Sequence, residues 1–125
     1  SLIRASATRR TLPSGNLKDS YVKEAISFIE RNYSYPITVE DIAAFCGLNR
    51  NYLGKLFKEI TNQTLQHFLM YYRMNRAAEL LKFSSLTINE IGKMCGYQNQ
   101  LHFSRAFKTI FHLSPNHWRE KNKPL

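Results

Sequence analysis

Two segments of the chain share one pattern: residues 37–47 read ITVEDIAAFCG, and residues 86–96 read LTINEIGKMCG. At an offset of 49, the residue types are identical at positions 38 and 87, 42 and 91, 46 and 95, and 47 and 96. In both segments a threonine stands three residues before an acid, with an aliphatic residue before the threonine and another after the acid. This is the pattern of a capping box and a hydrophobic staple. The closing glycine favours a left-handed helix end, so each segment is predicted to be a short helix followed by a turn.

A second, amphipathic helix is predicted after each turn. Apolar residues recur there at helical spacing, and they are Leu53, Leu56, Phe57 and Ile60 in the first copy and Phe103, Phe107 and Ile110 in the second. The pair Phe57-Lys58 corresponds to Phe107-Lys108 at an offset of 50, so the second copy has one extra residue near its turn. A short helix, a turn and an amphipathic helix form a helix-turn-helix. The chain is therefore predicted to carry two copies of this motif.

The other segments also show helical spacing, and none alternates like a strand. A long helix is predicted from about Thr64 to Lys82, and Ser114-Pro115 begins a short last helix. The predicted fold class is all-α with about seven helices, arranged as two homeodomain-like helix-turn-helix subdomains joined by a long central helix. The predicted division is a linker or arm over 1–16, a first subdomain over 17–63, a connecting helix over 64–83 and a second subdomain over 84–125.

Composition narrows the class of protein. The 125 residues indicate one compact domain or two very small ones, and 13% aromatic residues exclude a disordered chain. No apolar run approaches the roughly 18 residues of a membrane span. The first residue is Ser1 and no signal peptide is recognisable, so we expect a piece of a longer protein. Cys46 and Cys95 lie in apolar segments and are predicted to be buried free thiols, consistent with a reducing cytoplasm.

The net charge of +9 favours a polyanionic partner. The second helix of a helix-turn-helix lies in the major groove of DNA, so its non-core side chains are candidate DNA contacts. These are Arg50, Asn51, Gly54, Lys55 and Lys58 in the first copy, and Asn99, Gln100, Leu101, Ser104, Arg105 and Lys108 in the second. Neither set contains an acid. Arg and Lys suit guanine, whereas Asn and Gln suit adenine, so double-stranded DNA is the predicted partner.

The connecting helix sets the distance between the two predicted reading heads. About 19 residues at about 1.5 Å per residue give about 28 Å, whereas successive major-groove faces lie about 34 Å apart. We therefore expect two adjacent major-groove segments to be read from one side of an asymmetric site of roughly 17–20 base pairs. The difference in length predicts either modest DNA bending or incomplete insertion of one helix.

The chain resembles the AraC family of bacterial transcription regulators. The resemblance covers residues 19–120 and is most specific in the second half, where the pattern runs from Ile91 through Gly96-Tyr97 and residues 103–108 to Pro115 and Trp118-Arg119. The sequence departs from the family at Asn62 and His112, where Gly is usual after each Phe-Lys helix, at Leu65, where Pro is usual, and at Gly92, where Ala is usual. Asn and His tolerate left-handed backbone angles, so both turns are expected to survive.

The resemblance implies sequence-specific promoter binding, usually with activation through contact with RNA polymerase, in the bacterial cytoplasm and on the nucleoid. It also implies a separate effector-sensing or dimerisation domain, usually N-terminal. Base contacts map onto Arg50, Asn51, Gly54 and Lys55, and onto Gln100, Leu101, Ser104 and Arg105, and the helix starts at Thr38 and Thr87 would meet phosphates. The helix pattern itself adds Asn99 as a base-reading candidate, and Lys58, Lys108 and His102 as candidate contacts to the DNA backbone. For His102, the alternative that it makes no DNA contact stays open.

Other functions have less support in the sequence. No paired carboxylates, phosphate-binding glycine loop or metal-ligand spacing is recognisable, so we predict no enzyme, cofactor or metal site. An acidic protein partner stays as an alternative; it would give salt-dependent binding without base preference. Arg73 is predicted to pair with an acid, Glu79 or Asp41, in preference to a phosphate. Trp118 is predicted to be a core residue.

Overall fold

A computed structural model describes residues 17–124 of the chain, and the described residues form seven α-helices without a strand. The predicted arm over 1–16 lies outside the described residues. The helices are α1 (Leu17–Asn32), α2 (Val39–Cys46), α3 (Arg50–Thr61), α4 (Leu65–Phe83), α5 (Ile88–Met94), α6 (Gln100–Phe111) and α7 (Pro115–Lys121). The all-α fold with two helix-turn-helix units and a long central helix is confirmed.

Capping boxes begin the first helix of each helix-turn-helix, as the repeated pattern predicts. Thr38 Oγ1 accepts the Asp41 N–H at 3.1 Å, and the Asp41 carboxylate accepts the Thr38 N–H at 2.9 Å. Thr87 and Glu90 repeat both hydrogen bonds at 3.1 and 2.8 Å. Because the box satisfies two N–H groups that a helix start leaves unpaired, it fixes where α2 and α5 begin.

The two unusual turn residues adopt left-handed angles, as expected from their chemistry. Asn62 after α3 has a φ of 64°, and His112 after α6 has a φ of 66°. The N–H of each donates to the helix, Asn62 to Lys58 O at 2.9 Å and His112 to Lys108 O at 2.8 Å. Both turns are therefore left-handed without a glycine at these two positions.

The small size of Gly92 has a packing reason, because a Cβ there would stand 3.0 Å from the ring of the buried Phe103.

The hydrophobic core consists of two clusters that share α4. Leu65 and Leu69, in the first half of α4, pack into the cluster of α1, α2 and α3. The second half of α4 packs into the cluster of α5, α6 and α7 through Met74, Ala77, Ala78 and Leu81. Trp118 packs against this second cluster, as predicted, with its ring centroid 5.9 Å from that of Phe107. Cys46 and Cys95 are buried thiols, and neither takes part in a disulfide among the described residues.

Ile60 follows the apolar spacing of α3, but 40% of this residue is exposed. It occupies the last turn of α3, beyond the point where Phe57 meets Phe68 at a centroid distance of 5.5 Å. Helical spacing identifies the face of a helix that points inward, but it does not show how far along the helix the core extends.

The prediction that Arg73 pairs with an acid is wrong. Its guanidinium donates to two backbone carbonyls beyond the end of α1: Nε to Tyr33 O at 2.9 Å and Nη2 to Tyr35 O at 2.8 Å. It also lies 5.6 Å from the ring centroid of Tyr97, in the turn of the second helix-turn-helix. Arg76, one turn later in sequence, pairs with Glu79 instead. The cation that sequence reasoning assigned to a carboxylate thus binds two backbone carbonyls that follow α1, and one of them, Tyr35 O, also accepts the Ile37 N–H at 2.8 Å.

Arg73 is 9% exposed and connects the two subdomains. Burial lowers its pKa from the usual value of an arginine and raises the pKa of Tyr97, and contact with Tyr97 opposes the first shift. Gly96 completes the junction, because a Cβ on it would stand 2.6 Å from Tyr33 O and 2.9 Å from the Arg73 guanidinium. The second turn therefore lies directly against the end of α1.

A similar arginine stabilises the second subdomain internally. Arg119 of α7 donates through Nε to Leu81 O at 2.9 Å and through Nη2 to Ser84 O at 3.1 Å. Leu81 lies in the last turn of α4 and Ser84 is its C-cap, so these two carbonyls stand at the end of α4 much as Tyr33 and Tyr35 follow α1. Arg73 follows α3 and contacts the end of α1, and Arg119 follows α6 and contacts the end of α4, so the two arginines have equivalent roles.

Gly96→Ala is expected to destabilise the fold far more than Gly47→Ala. Both glycines have left-handed angles, with φ of 93° and 73°, so each Ala costs roughly 1–2 kcal/mol in backbone strain. A Cβ at Gly47 meets no atom within 4 Å. At Gly96 the collision with Tyr33 O and Arg73 adds roughly 1–3 kcal/mol. Urea unfolding measures both; equal losses would contradict the close junction.

Candidate nucleic-acid interface

The candidate DNA-contacting positions of α3 lie on one face of the helix. Arg50, Asn51, Lys55 and Lys58 are exposed, and Gly54 is partly exposed. Residues four positions apart lie on the same side of a helix, so Arg50, Gly54 and Lys58 form one row and Asn51 and Lys55 form the row beside it. The opposite face, which is buried, carries Leu53, Leu56 and Phe57. The structure therefore brings these five positions together on one surface, which we call the first reading face.

The corresponding positions of α6 form a second reading face at an offset of 50. Gln100, Leu101, Arg105 and Lys108 are exposed and Ser104 is partly exposed, and they correspond to Arg50, Asn51, Lys55, Lys58 and Gly54, respectively. Leu101 is 55% exposed, so this surface combines cations and an amide with an apolar side chain. His102 lies beside them and is also exposed.

Asn99 has a structural role that limits its part in DNA contact. It is the N-cap of α6, and its Oδ1 accepts the N–H groups of Leu101 at 2.8 Å and His102 at 3.2 Å. Asn49 caps α3 in the same way through the Tyr52 N–H. Since the oxygen of Asn99 is occupied, only its NH₂ group is left for a base, and the bidentate contact of Asn with adenine is closed to it.

Thr38 and Thr87 are similarly engaged. The capping boxes occupy the backbone N–H and one of the two acceptor lone pairs of each threonine, so the hydroxyl hydrogen is the only donor that the threonine has left. Hydrogen bonding from Thr87 also lowers the pKa of Glu90, so this carboxylate stays charged beside the helix start. The contribution of these helix starts to phosphate binding is therefore narrower than free N–H groups would give.

Gly54 has no packing partner that requires its small size. A Cβ built on it meets nothing within 4 Å, and a glycine inside a helix costs about 1 kcal/mol relative to alanine. Its neighbours Arg50, Asn51 and Lys55 line a shallow groove with Thr64 and Gln66 of the α4 start. The absence of a side chain leaves the backbone of α3 open at the centre of the first reading face.

The structure also shows polar residues near the first reading face that sequence reasoning missed. A groove of about 660 Å³ runs beside Arg50 and is lined by Glu40, Gln66 and His67, and it reaches Tyr97 of the second subdomain. Glu40 contacts Arg50 directly, with Oε2 2.6 Å from Nη1. No local pattern brings these residues together, because α2, α3 and α4 meet only through tertiary packing.

Comparison with known proteins gives one consistent result. A family model described as a helix-turn-helix domain matches residues 42–121. The chain is 35% identical over 102 residues to the Msm operon regulatory protein of Streptococcus mutans, covering 82% of this chain and 37% of that protein. It is 37% identical over 98 residues to the lactose operon transcription activator of Staphylococcus xylosus, covering 78% and 35%. The chain thus spans little more than a third of the length of these relatives.

A solved structure supports the same relationship. The C-terminal domain of AraT, a response regulator from Geobacillus stearothermophilus, superimposes with a TM-score of 0.82 at 34% identity, covering 84% of this chain and 88% of that domain. Two helix-turn-helix units, two reading faces and these matches agree with one another. The chain belongs to the AraC family, and it is a DNA-binding helix-turn-helix domain of that family of transcription regulators.

Proposed function

We propose that this domain places α3 and α6 in adjacent major-groove segments of one asymmetric promoter site. The observation that carries the proposal is the pair of reading faces, which occupy equivalent positions in the two copies and belong to one body joined through Arg73. A monomer with two reading heads needs no palindrome, whereas a dimer with one head per chain does.

The two faces are expected to read different bases. In the first, Arg50 and Lys55 offer donors to guanine, and Asn51 offers the bidentate pattern that adenine accepts. In the second, Arg105 suits guanine and Gln100 suits adenine. Leu101 is apolar and exposed, which suits the methyl group of thymine. Ser104 can donate to or accept from any base, and Asn99 can donate through its NH₂ group.

Backbone contacts would orient the domain. Lys58 and Lys108 end the two reading faces at equivalent positions, where a flexible cation suits a phosphate. His102, Thr38 and Thr87 are exposed donors at helix starts, so they fit the phosphates that flank each major-groove segment. The open backbone at Gly54 allows α3 to approach DNA closely, which explains a glycine that the protein interior does not require.

The wider role follows from the relatives. One of them is named a transcription activator and another an operon regulatory protein, so we infer that the complete protein activates transcription through RNA polymerase, in the cytoplasm and on the nucleoid. We further infer a second domain that senses an effector or dimerises, because the relatives are far longer than the matched region. No helix among the described residues is long and apolar enough to span a membrane.

Selection of bound duplexes from a random pool tests the two-headed reading. We expect one asymmetric motif with two boxes about 10 base pairs apart, the spacing of successive major-groove faces. A motif with a single box would contradict insertion of both helices. No enrichment at all would contradict sequence-specific binding and would favour the acidic protein partner.

Arg105→Ala and Lys58→Ala are expected to have different effects on binding. Loss of Arg105 should weaken binding to the selected site by about 1–3 kcal/mol and relax the preference at one base pair. Loss of Lys58 should weaken binding to all sequences alike and reduce the salt slope by about 1. Titration of each variant against a panel of single-base site variants separates the two. A uniform effect of Arg105→Ala across the panel would exclude its base-reading role.

A further inference from the structure

The first reading face has a carboxylate next to its first cation. Glu40 Oε2 lies 2.6 Å from Arg50 Nη1, and the two side chains are 60% and 55% exposed. Glu40 occupies the second position of α2, whereas Arg50 is the first residue of α3. The contact therefore joins the starts of the two helices of the first helix-turn-helix.

Glu40 does not serve the helix start in the way its neighbour does. The capping box of α2 uses Thr38 and Asp41, and Glu40 takes no part in it. An exposed ion pair also adds little to stability, since water and salt screen the charges and both side chains lose freedom. Fold stability therefore gives no sufficient reason for this pair.

The second helix-turn-helix forms no such pair. At the offset of 49, Asn89 stands where Glu40 stands in the first copy, and at the offset of 50, Gln100 stands where Arg50 stands. Both copies nevertheless form the same two helices with the same capping box. The motif itself thus does not require a charged pair, and the pair distinguishes the first reading face from the second.

A carboxylate in this place has opposite effects on the two kinds of DNA contact. Non-specific binding depends on phosphates, and Glu40 both repels phosphates and neutralises Arg50. A guanine edge instead offers Arg50 two acceptors, and the guanidinium has five N–H donors in a rigid fork. With Nη1 held by Glu40, other donors of the fork are left for O6 and N7.

We propose that Glu40 is a positioning residue that sharpens base discrimination by the first reading face: it keeps Arg50 away from phosphates and orients it toward a guanine. This inference rests on the proposed two-headed reading of DNA. It predicts that removing the carboxylate increases binding to the wrong sequences more than binding to the right one.

The test compares wild type, Glu40→Gln, Arg50→Ala and the double variant on three duplexes: the selected site, the same site with the guanine of the first box replaced, and a scrambled sequence. Glu40→Gln should tighten binding to the scrambled duplex about fivefold at about 150 mM salt, the effect of one more phosphate contact, and steepen its salt slope by about 1. The affinity for the selected site should change less. The specificity ratio, which is the affinity for the selected site divided by the affinity for the scrambled duplex, therefore falls. In the Arg50→Ala background the substitution should leave that ratio unchanged.

Glu79→Gln provides the matched control. Glu79 pairs with Arg76 at the same 2.6 Å and is also 60% exposed, but this pair lies on α4, outside both reading faces. Its loss removes the same charge and should leave the specificity ratio as it is. Thermal unfolding of each variant checks that the fold is unchanged.

Three results would overturn the inference: an unchanged ratio in Glu40→Gln, an equal shift in Glu79→Gln, or the same shift with and without Arg50. The last would indicate simple charge repulsion that does not act through Arg50. The selection with wild-type protein separates this inference from the proposed function. A motif that is recovered together with an unchanged ratio overturns only the role of Glu40, whereas the absence of a motif overturns both.

Discussion

The contact of Arg73 with the end of α1 determines how the two helix-turn-helix units are placed relative to each other. Two charge-assisted hydrogen bonds join its guanidinium to Tyr33 O and Tyr35 O, and such bonds each contribute roughly 1.5–3 kcal/mol. The same group lies over the ring of Tyr97, next to Gly96. Because each half has its own hydrophobic cluster, this polar junction and the shared helix α4 hold the halves in one orientation. The proposed reading of two groove segments depends on that orientation.

The two copies of the helix-turn-helix share the residues that specify their helices and turns, but they differ in the exposed residues that are expected to contact DNA. Capping boxes, N-cap asparagines and left-handed turns occur in both copies, and an arginine holds the end of the first helix in each half. The exposed positions differ at the same time: a cation, an amide and a glycine in the first copy correspond to an amide, a leucine and a serine in the second. Two different faces on one scaffold fit an asymmetric site.

Much of the fold could be predicted because its signals are local. The Thr-to-acid spacing, the glycine turns and the apolar spacing each lie within a few residues, and they identified the paired helices and their caps. The two reading faces could be predicted because they are the positions that are left when the core positions of the two amphipathic helices are removed. The left-handed turns at Asn62 and His112 could also be anticipated, since Asn and His tolerate positive φ better than most residue types.

What the sequence could not show depends on contacts between distant residues. Arg73 was assigned to a carboxylate because charge is visible in a sequence, whereas the position of the Tyr33 and Tyr35 carbonyls beside Arg73 is not. Ile60 follows the apolar spacing of α3 and is nevertheless 40% exposed, because spacing does not indicate where the core ends. Glu40 lies ten residues before Arg50, and only the packing of α2 on α3 brings the two charges together. The sequence also did not show why glycine stands at position 92, where a Cβ would lie 3.0 Å from the ring of Phe103.

The measurement that tests the rigid two-headed domain most directly is binding to a selected site with five base pairs inserted between its two boxes. Five base pairs turn the second box by about half a helical turn, to the opposite side of the duplex. A junction held by Arg73 cannot follow that rotation, so affinity should fall at least about tenfold, toward that of a duplex with one box. Undiminished affinity for the lengthened site would show that the heads bind independently, and it would contradict the role given to the junction.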